Sequence, residues 1–569
     1  MTCEMPESKV IPTGALSAHT FNLVSILCLA TSLSLWLFNL RLVAFDTFPA
    51  DPFYFADRQT PWFWIGIAFL LVSVWTLIRV KSASDKECNF LMEIIIMTSF
   101  ALFFFGTDAL EYSNPRYGDV YGLTHQMLPV IDDGHFSLGA GGYSYLYSYP
   151  DVVVFWVQLS SMTGLDVVTA SRFYPPILAF LLALMTYAIA NRFTKSMRLV
   201  APLFLLAILW VQEFHLSALS FSIILLSLSL LVFSRMITGS RSTTRDTAML
   251  VCVLFSIVLA HPVSMAVLLV SALASYGLLT KISGADSSTR TKSVRRIGTI
   301  SVIGAVIWIA WTSIMSTPIM EYLVQTVGFI TAPHDLVEIF RSVMSSGKSE
   351  YSPLPSVAQV NLAKIGITFF VGVIVLYHLV RRTSSSGPGL LLWGWIGGSA
   401  AWMTFALLSR PEFSGRSLAF VSIAVAILTA ISVSSNSGVK MRKLLTVVLV
   451  TITVCSFLLP LTRNSVDPFE FRSDSQIVGR EFVIRYGIIA DTDYVNYAYP
   501  GAMTIDPQEI LDYAPRGPHS NLAVIHTASW HNFFEMNFQR GEEYDSIFLN
   551  HSQVFDSGDF RVFTPEVII

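Results

Sequence analysis

The chain has 569 residues, 53% hydrophobic and only 13% charged, with a mean hydropathy of +0.59 and a formal net charge of −3. A soluble domain is roughly 25% charged, so this composition excludes an ordinary soluble enzyme and points to an integral membrane protein. The near-neutral balance also excludes a bulk nucleic-acid binder, which would be strongly basic.

In chain order, residues 1–20 read as a cytoplasmic segment, without the short apolar core and small-residue cleavage site of a removable signal peptide. Residues 21–461 form a transmembrane region with about 13 apolar runs of near-spanning length. They fall near 21–44, 62–80, 90–106, 173–191, 199–211, 217–234, 248–260, 263–280, 298–316, 361–380, 389–407, 416–433 and 443–461. The runs at 199–211 and 248–260 are the shortest. The apolar segment 151–163 is too short to cross and reads as a helix in the interface. Residues 462–569 lose the long apolar runs and are enough for one small domain. There NLAVIHTASW (521–530) reads as a strand, and SQVFDSGDFRVF (552–563) as two strands around a turn. The fold class expected is mainly α and polytopic, with a small α/β or α+β C-terminal domain.

Lys and Arg set the orientation. Alternate loops are basic: Arg79, Lys81, Lys86; Arg192, Lys195, Arg198; Arg235, Arg241, Arg245; Lys281 to Arg296; Arg381, Arg382; Lys440, Arg442, Lys443. The opposite set is acidic. This puts the N-terminus inside, and the loops 107–172 and 317–360 and the C-terminal domain outside.

The loop 107–172 is far longer than a connector requires, and long ordered loops are usually functional. It holds Asp108, Glu111, Asp119, Asp132 and Asp133. Asp119, in RYGDVYGLTHQ, follows Pro115 and Gly118, so it can cap a short helix. It can equally serve as a general base at the membrane face. Helical spacing puts Gln126 on the Asp119 face and His125 off it; Tyr121 and His125 are candidates for positioning donor or acceptor. Asp132 and Asp133 are candidate oxygen ligands for a divalent cation, or a solvated turn. No phosphate-cradling Gly-rich motif occurs, so no nucleotide cofactor is expected, and the cofactor is unknown beyond that possible cation. Cations and imidazoles at the outer ends of spans, namely Arg410, Arg416, His261 and His215, could meet a lipid phosphate or merely the headgroups.

Several stretches carry a family resemblance. GDVYGLTHQ follows a span, then a D-D-G-H-F element at 132–136, then YPDVVVFWVQLSSMTGLD at 149–166 leading into SRFYPPILAFLLALMTYAIA. Later stretches are AHPVSMAVLLVSALA, RPEFSGRSLAFVSIAVAI and the closing VFDSGDFRVF. Together these resemble archaeal membrane glycosyltransferases of the GT-C superfamily. The resemblance implies inverting transfer of a sugar from a polyprenyl (dolichyl) phosphate donor to a glycan, lipid or protein acceptor at the outer face. It also implies an outer-loop aspartate as base. The matching position is Asp119, with Asp108 and Glu111 next in line. In the superfamily that acid follows the first span of the core, so the match requires a two-helix N-terminal extension. A WWDYG-type tail motif is missing, so the sequence does not resemble the oligosaccharyltransferase catalytic subunit, and the acceptor stays open. Two other classes compete: a non-catalytic scaffold or receptor with an extracytoplasmic binding domain, and a lipid or solute transporter. A transporter would need charges in mid-span and internal repeats.

Overall fold

The computed structural model describes residues 18–43, 54–83, 90–112, 149–209, 216–238, 244–282, 288–315, 387–409, 414–435 and 438–462. It also describes scattered positions in 115–136 and 366–373, and the strand residues 524–527, 551–556 and 560–565. Nine of the described helices are long and apolar enough to cross a membrane. The expected run 361–380 lies almost wholly outside the described residues.

The N-terminal pair is α1 (Ala18–Leu42) and α3 (Pro61–Ala83), joined through the short α2 (Tyr54–Arg58). Small residues let the pair close up. Ser25 and Ser73 exchange hydroxyl-to-carbonyl bonds of 3.0 and 2.8 Å, and the Ser32 hydroxyl donates to the Gly66 carbonyl at 2.8 Å. Pro61 opens α3 because its missing N–H costs nothing at the first helical position. The Trp75 indole reaches Thr453 at 3.1 Å, tying the pair to the last span.

Next come α4 (Phe90–Ala101), a π turn (Leu102–Gly106) and α5 (Thr107–Glu111) as one continuous rod. The third span therefore runs to Glu111 rather than stopping at 106. Asp108 and Glu111 belong to its last turn, not to a loop.

α6 (Asp151–Thr163) is a helix over the segment expected to lie in the interface. Val152, Val153 and Trp156 are buried, whereas Phe155 and Met162 are exposed. Gly164 stops it with φ +71°, a left-handed conformation that glycine adopts without strain. α7 (Val167–Arg172) follows, capped by Asp166, whose side chain accepts from the Thr169 N–H. Tyr174–Phe193 forms α8.

α9 (Val200–Ile208) corrects the expected helical span 199–211. Its nine residues reach about 14 Å at 1.5 Å per residue, less than half of a hydrocarbon core of ~30 Å. All nine are buried, so the helix has no lipid face. The chain nevertheless changes ends here. The start of α8 and the start of α10 (Ala218–Thr238) meet where Ser220 donates to the Tyr174 hydroxyl at 3.2 Å.

α11 (Thr244–Ala260), α12 (Pro262–Ile282) and α13 (Ser288–Met315) continue the bundle, followed by α14 (Gly387–Ser409), α15 (Ser414–Ser435) and α16 (Gly438–Thr462). α12 and α14 pack backbone to backbone. A Cβ on Gly394 would lie 2.2 Å from the Ser275 Cα, and one on Gly398 2.4 Å from the Ser271 Cα. Ser275 donates to the Leu391 carbonyl at 3.0 Å, and Ser271 and Ser399 share a 3.1 Å contact. Small residues at such seams are how helices associate where apolar burial gives no net drive.

In the C-terminal region, β1 (Val524–Thr527) pairs antiparallel with β3 (Phe560–Pro565), which pairs antiparallel with β2 (His551–Asp556), in the order β1-β3-β2. β2 and β3 are the two runs expected to flank a turn. The segment 475–487, with helical spacing, lies outside the described residues.

Candidate functional site

The bundle has two distinct ends. At one end Glu93, fully buried at the start of α4, accepts from the Arg198 Nε at 2.9 Å and from the Tyr187 hydroxyl. Arg198 also holds Asn191 at 2.9 Å, and its guanidinium lies over the Tyr187 ring. Arg235, ending α10, pairs with Asp246 of α11 at 3.1 Å. Arg198 and Arg235 belong to the loops expected inside.

The opposite end gathers the last turn of the third span. The sequence LFFFG forms a π turn in which Phe103, Phe104, Phe105 and Gly106 are all buried, and Gly106 abuts α8. A Cβ there would sit 3.6 Å from Pro176. The wider turn needs hydrogen-bond partners, and Thr107 supplies one. Its hydroxyl donates to the Phe103 carbonyl at 2.6 Å and accepts the Trp36 indole N–H at 2.9 Å. Asp108 follows, 5% exposed, with an oxygen 3.2 Å from the Ala109 N–H. The Arg172 guanidinium donates to the Ala109 carbonyl at 3.0 Å, linking α7 to this turn.

Glu111, 8% exposed, accepts from the Asn39 amide at 3.1 Å on one oxygen and from the Gln59 amide at 2.8 Å on the other. Asn39 also donates to the Gln59 carbonyl oxygen at 2.7 Å and accepts from the Thr60 N–H and hydroxyl at 3.1 and 2.8 Å. Buried polar groups in such a network cost little because each is satisfied. Asn39, Gln59, Trp36 and Arg172 were not singled out by the sequence. No spacing rule relates residues 52 to 72 positions apart, as Gln59 and Asn39 are from Glu111.

His261 lies at the same end, in the break between α11 and α12, and is 8% exposed. Its Nδ1 accepts the Ser264 N–H at 3.2 Å and lies 3.0 Å from the Ser264 hydroxyl, which meets Ser222 at 2.5 Å. The imidazole thus caps α12, and in its neutral form the ring proton sits on Nε2. Asp108 and Glu111 share one turn, whereas His261 is tied to α10 and α12.

Burial pushes the Asp151 carboxyl at the head of α6 up to about 6. Asp119, His125, Tyr121, Asp132, Asp133, His215 and Arg410 lie outside the described residues. Arg416 falls in the first turn of α15, and its side chain is likewise not described. Among the described residues no group of three or more His, Cys, Asp or Glu side chains is placed to hold a metal ion.

No protein-family model matches the chain, and no curated protein sequence matches it. Solved structures do. The Archaeoglobus fulgidus oligosaccharyltransferase in its apo form aligns with a TM-score of 0.45 at 14% identity, over 72% of this chain and 59% of that one. The same organism's oligosaccharyltransferase AglB, in complex with an inhibitory peptide and a dolichol-phosphate, aligns with a TM-score of 0.47 at 13% identity, over 72% and 59%. The chain therefore spans about six tenths of the length of the proteins it matches. The likeness is one of structure, at low sequence identity.

Proposed function

We propose that the chain is a membrane glycosyltransferase that moves a sugar from a polyprenyl phosphate-linked donor to an acceptor at the outer face, with Asp119 as general base and Asp108 and Glu111 next in line. The turn Thr107–Glu111 carries this reading. It buries two carboxyl groups at a bundle end, bonded to α7 through Arg172, and ionisable groups at membrane depth are costly and mark function. In this reading the base takes a proton from the acceptor. The acceptor atom attacks the sugar anomeric carbon, and the carbon–oxygen bond to phosphate breaks with its electron pair leaving on the phosphate. His261, His215, Arg410 and Arg416 are the groups proposed to receive that charge. Charges on the described helices support an enzyme over a transporter: Glu93, Asp108, Glu111, Arg235 and Asp246 all sit at helix ends.

The test is transfer by the purified full chain from a polyprenyl-phosphate sugar, with the acceptor class found by glycan and lipid mass spectrometry of a deletion strain. Asp119→Asn keeps shape and capping but removes the proton acceptor, and general-base catalysis contributes about 10² to 10⁴-fold. A loss of that size with normal insertion is expected. Near-wild-type transfer by the Asn variant removes Asp119 and moves the role to Asp108.

A further inference from the structure

The five-residue turn that bears Asp108 is fastened at every second residue, from α1, from α7 and from the connector between α2 and α3. Trp36 of α1 holds the Thr107 hydroxyl at 2.9 Å. Arg172 of α7 holds the Ala109 carbonyl at 3.0 Å. Asn39 and Gln59 hold the two oxygens of Glu111 at 3.1 and 2.8 Å. Asn39 spends its whole hydrogen-bonding capacity here: both amide protons go to Gln59 and Glu111, and its oxygen takes two bonds from Thr60. That leaves it one orientation. Gln59 and Thr60 sit in the connector between α2 and α3, so the N-terminal helix pair delivers two carboxamides to one buried carboxyl group.

We infer that Asn39 and Gln59, acting through Glu111, are positioning residues that fix the Asp108 carboxyl group; this rests on the glycosyl-transfer reading of the same bundle end. In this reading Glu111 serves as an anchor and not as the base: each of its oxygens accepts from an amide in a buried site, which fixes the carboxyl group in one orientation. It anchors the C-terminal side of the turn while Trp36 anchors the N-terminal side, and Asp108 lies between the anchors. Asp108 is next in line to Asp119 for the base, and a group in that role must be held to within a fraction of an ångström of its working position, which a π turn alone does not secure.

The experiment uses the full chain in lipid nanodiscs, with two independent readouts. Gln59→Met keeps the length of the side chain and removes its donor and acceptor. Amide hydrogen exchange of peptides covering 107–112 should quicken about tenfold, the size expected for one lost buried hydrogen bond, with peptides around Glu93 and Arg198 unchanged. Unaltered exchange across 107–112 overturns the proposal whatever transfer does. In transfer assays kcat should fall about tenfold with donor KM within about twofold, and Gln59→Met should add nothing to Asp108→Asn. If it lowers the Asp108→Asn variant by the same factor, the two act independently and the positioning role is overturned. Quickened exchange in a chain with no transfer from any polyprenyl-phosphate sugar retires the glycosyl-transfer reading and leaves the anchoring of the turn standing. Should Gln59→Met fail to insert, Gln59→Asn withdraws the amide by one methylene and carries the same expectations at smaller amplitude.

Discussion

The two ends of the bundle bury carboxyl groups by opposite means. At one end Glu93 meets the Arg198 guanidinium and Asp246 meets Arg235, so charge cancels charge. At the other, Glu111 meets the neutral amides of Asn39 and Gln59. Amides orient a carboxyl group without placing a cation beside it. One end joins its helices by ion pairs, and the other holds its turn by amide hydrogen bonds.

Four measurements break or sharpen that contrast. The broadest is all-or-none. If the paired-arginine end faces the cytosol, a cysteine placed in 317–360 reacts with an impermeant maleimide on intact cells and one in 281–297 does not. Labelling at 281–297 inverts the two ends and removes the proposed function. Next, Arg198→Met leaves Glu93 buried without its cation. Stability should fall by about 3–5 kcal/mol, read by thermal unfolding in detergent, with turnover per folded molecule retained. A loss of turnover at full stability would make that end part of the chemistry.

A smaller effect is expected at Arg410 and Arg416. Lysine keeps the charge but not the planar fork that grips phosphate oxygens. Each of Arg410→Lys and Arg416→Lys should lower kcat/KM for the lipid-linked donor, with about tenfold, or ~1.4 kcal/mol, for the stronger. Unchanged kinetics in both leave His261 and His215 as the phosphate contacts. The smallest effect concerns Asp151. Its carboxyl is raised by burial from 3.8 to about 6, so the folded state favours the protonated form. The cost is absent below the lower value, grows as pH rises between the two, and is full above about 6. Asp151→Asn should therefore raise the melting temperature by about 1–2 °C at pH 7.5 and leave it unchanged at pH 3.5. A gap that persists at low pH would assign the effect to packing instead.

Much of the fold is legible in the residues. Hydropathy finds nine spans among the described residues, and the segment expected as a helix at 151–163 is α6, Asp151–Thr163, preceded by Pro150 and ended by Gly164 at positive φ. The third span is where local reasoning falls short. The acids after Phe105 look like the start of a loop, yet Thr107 and Trp36 satisfy a π turn that carries the helix on to Glu111. Of the site, the acids and His261 could be read because charge in an apolar chain stands out. Asn39 and Gln59 could not, since neutral amides raise no such signal and their partner lies far off in sequence. His261 could be listed, but not its capping of α12, which depends on Ser264 and the α10 residue Ser222.

The short helix α9 has a consequence for how the molecule is made. Segments enter a bilayer singly when each is long enough to be stable in lipid, and a helical piece of about 14 Å is not. With all nine residues enclosed by protein, α9 has no resting place until its neighbours α8, α15 and α16 surround it. Two of those neighbours are synthesised more than 200 residues later. The packing seen around α9 is therefore complete only once α15 and α16 are in place.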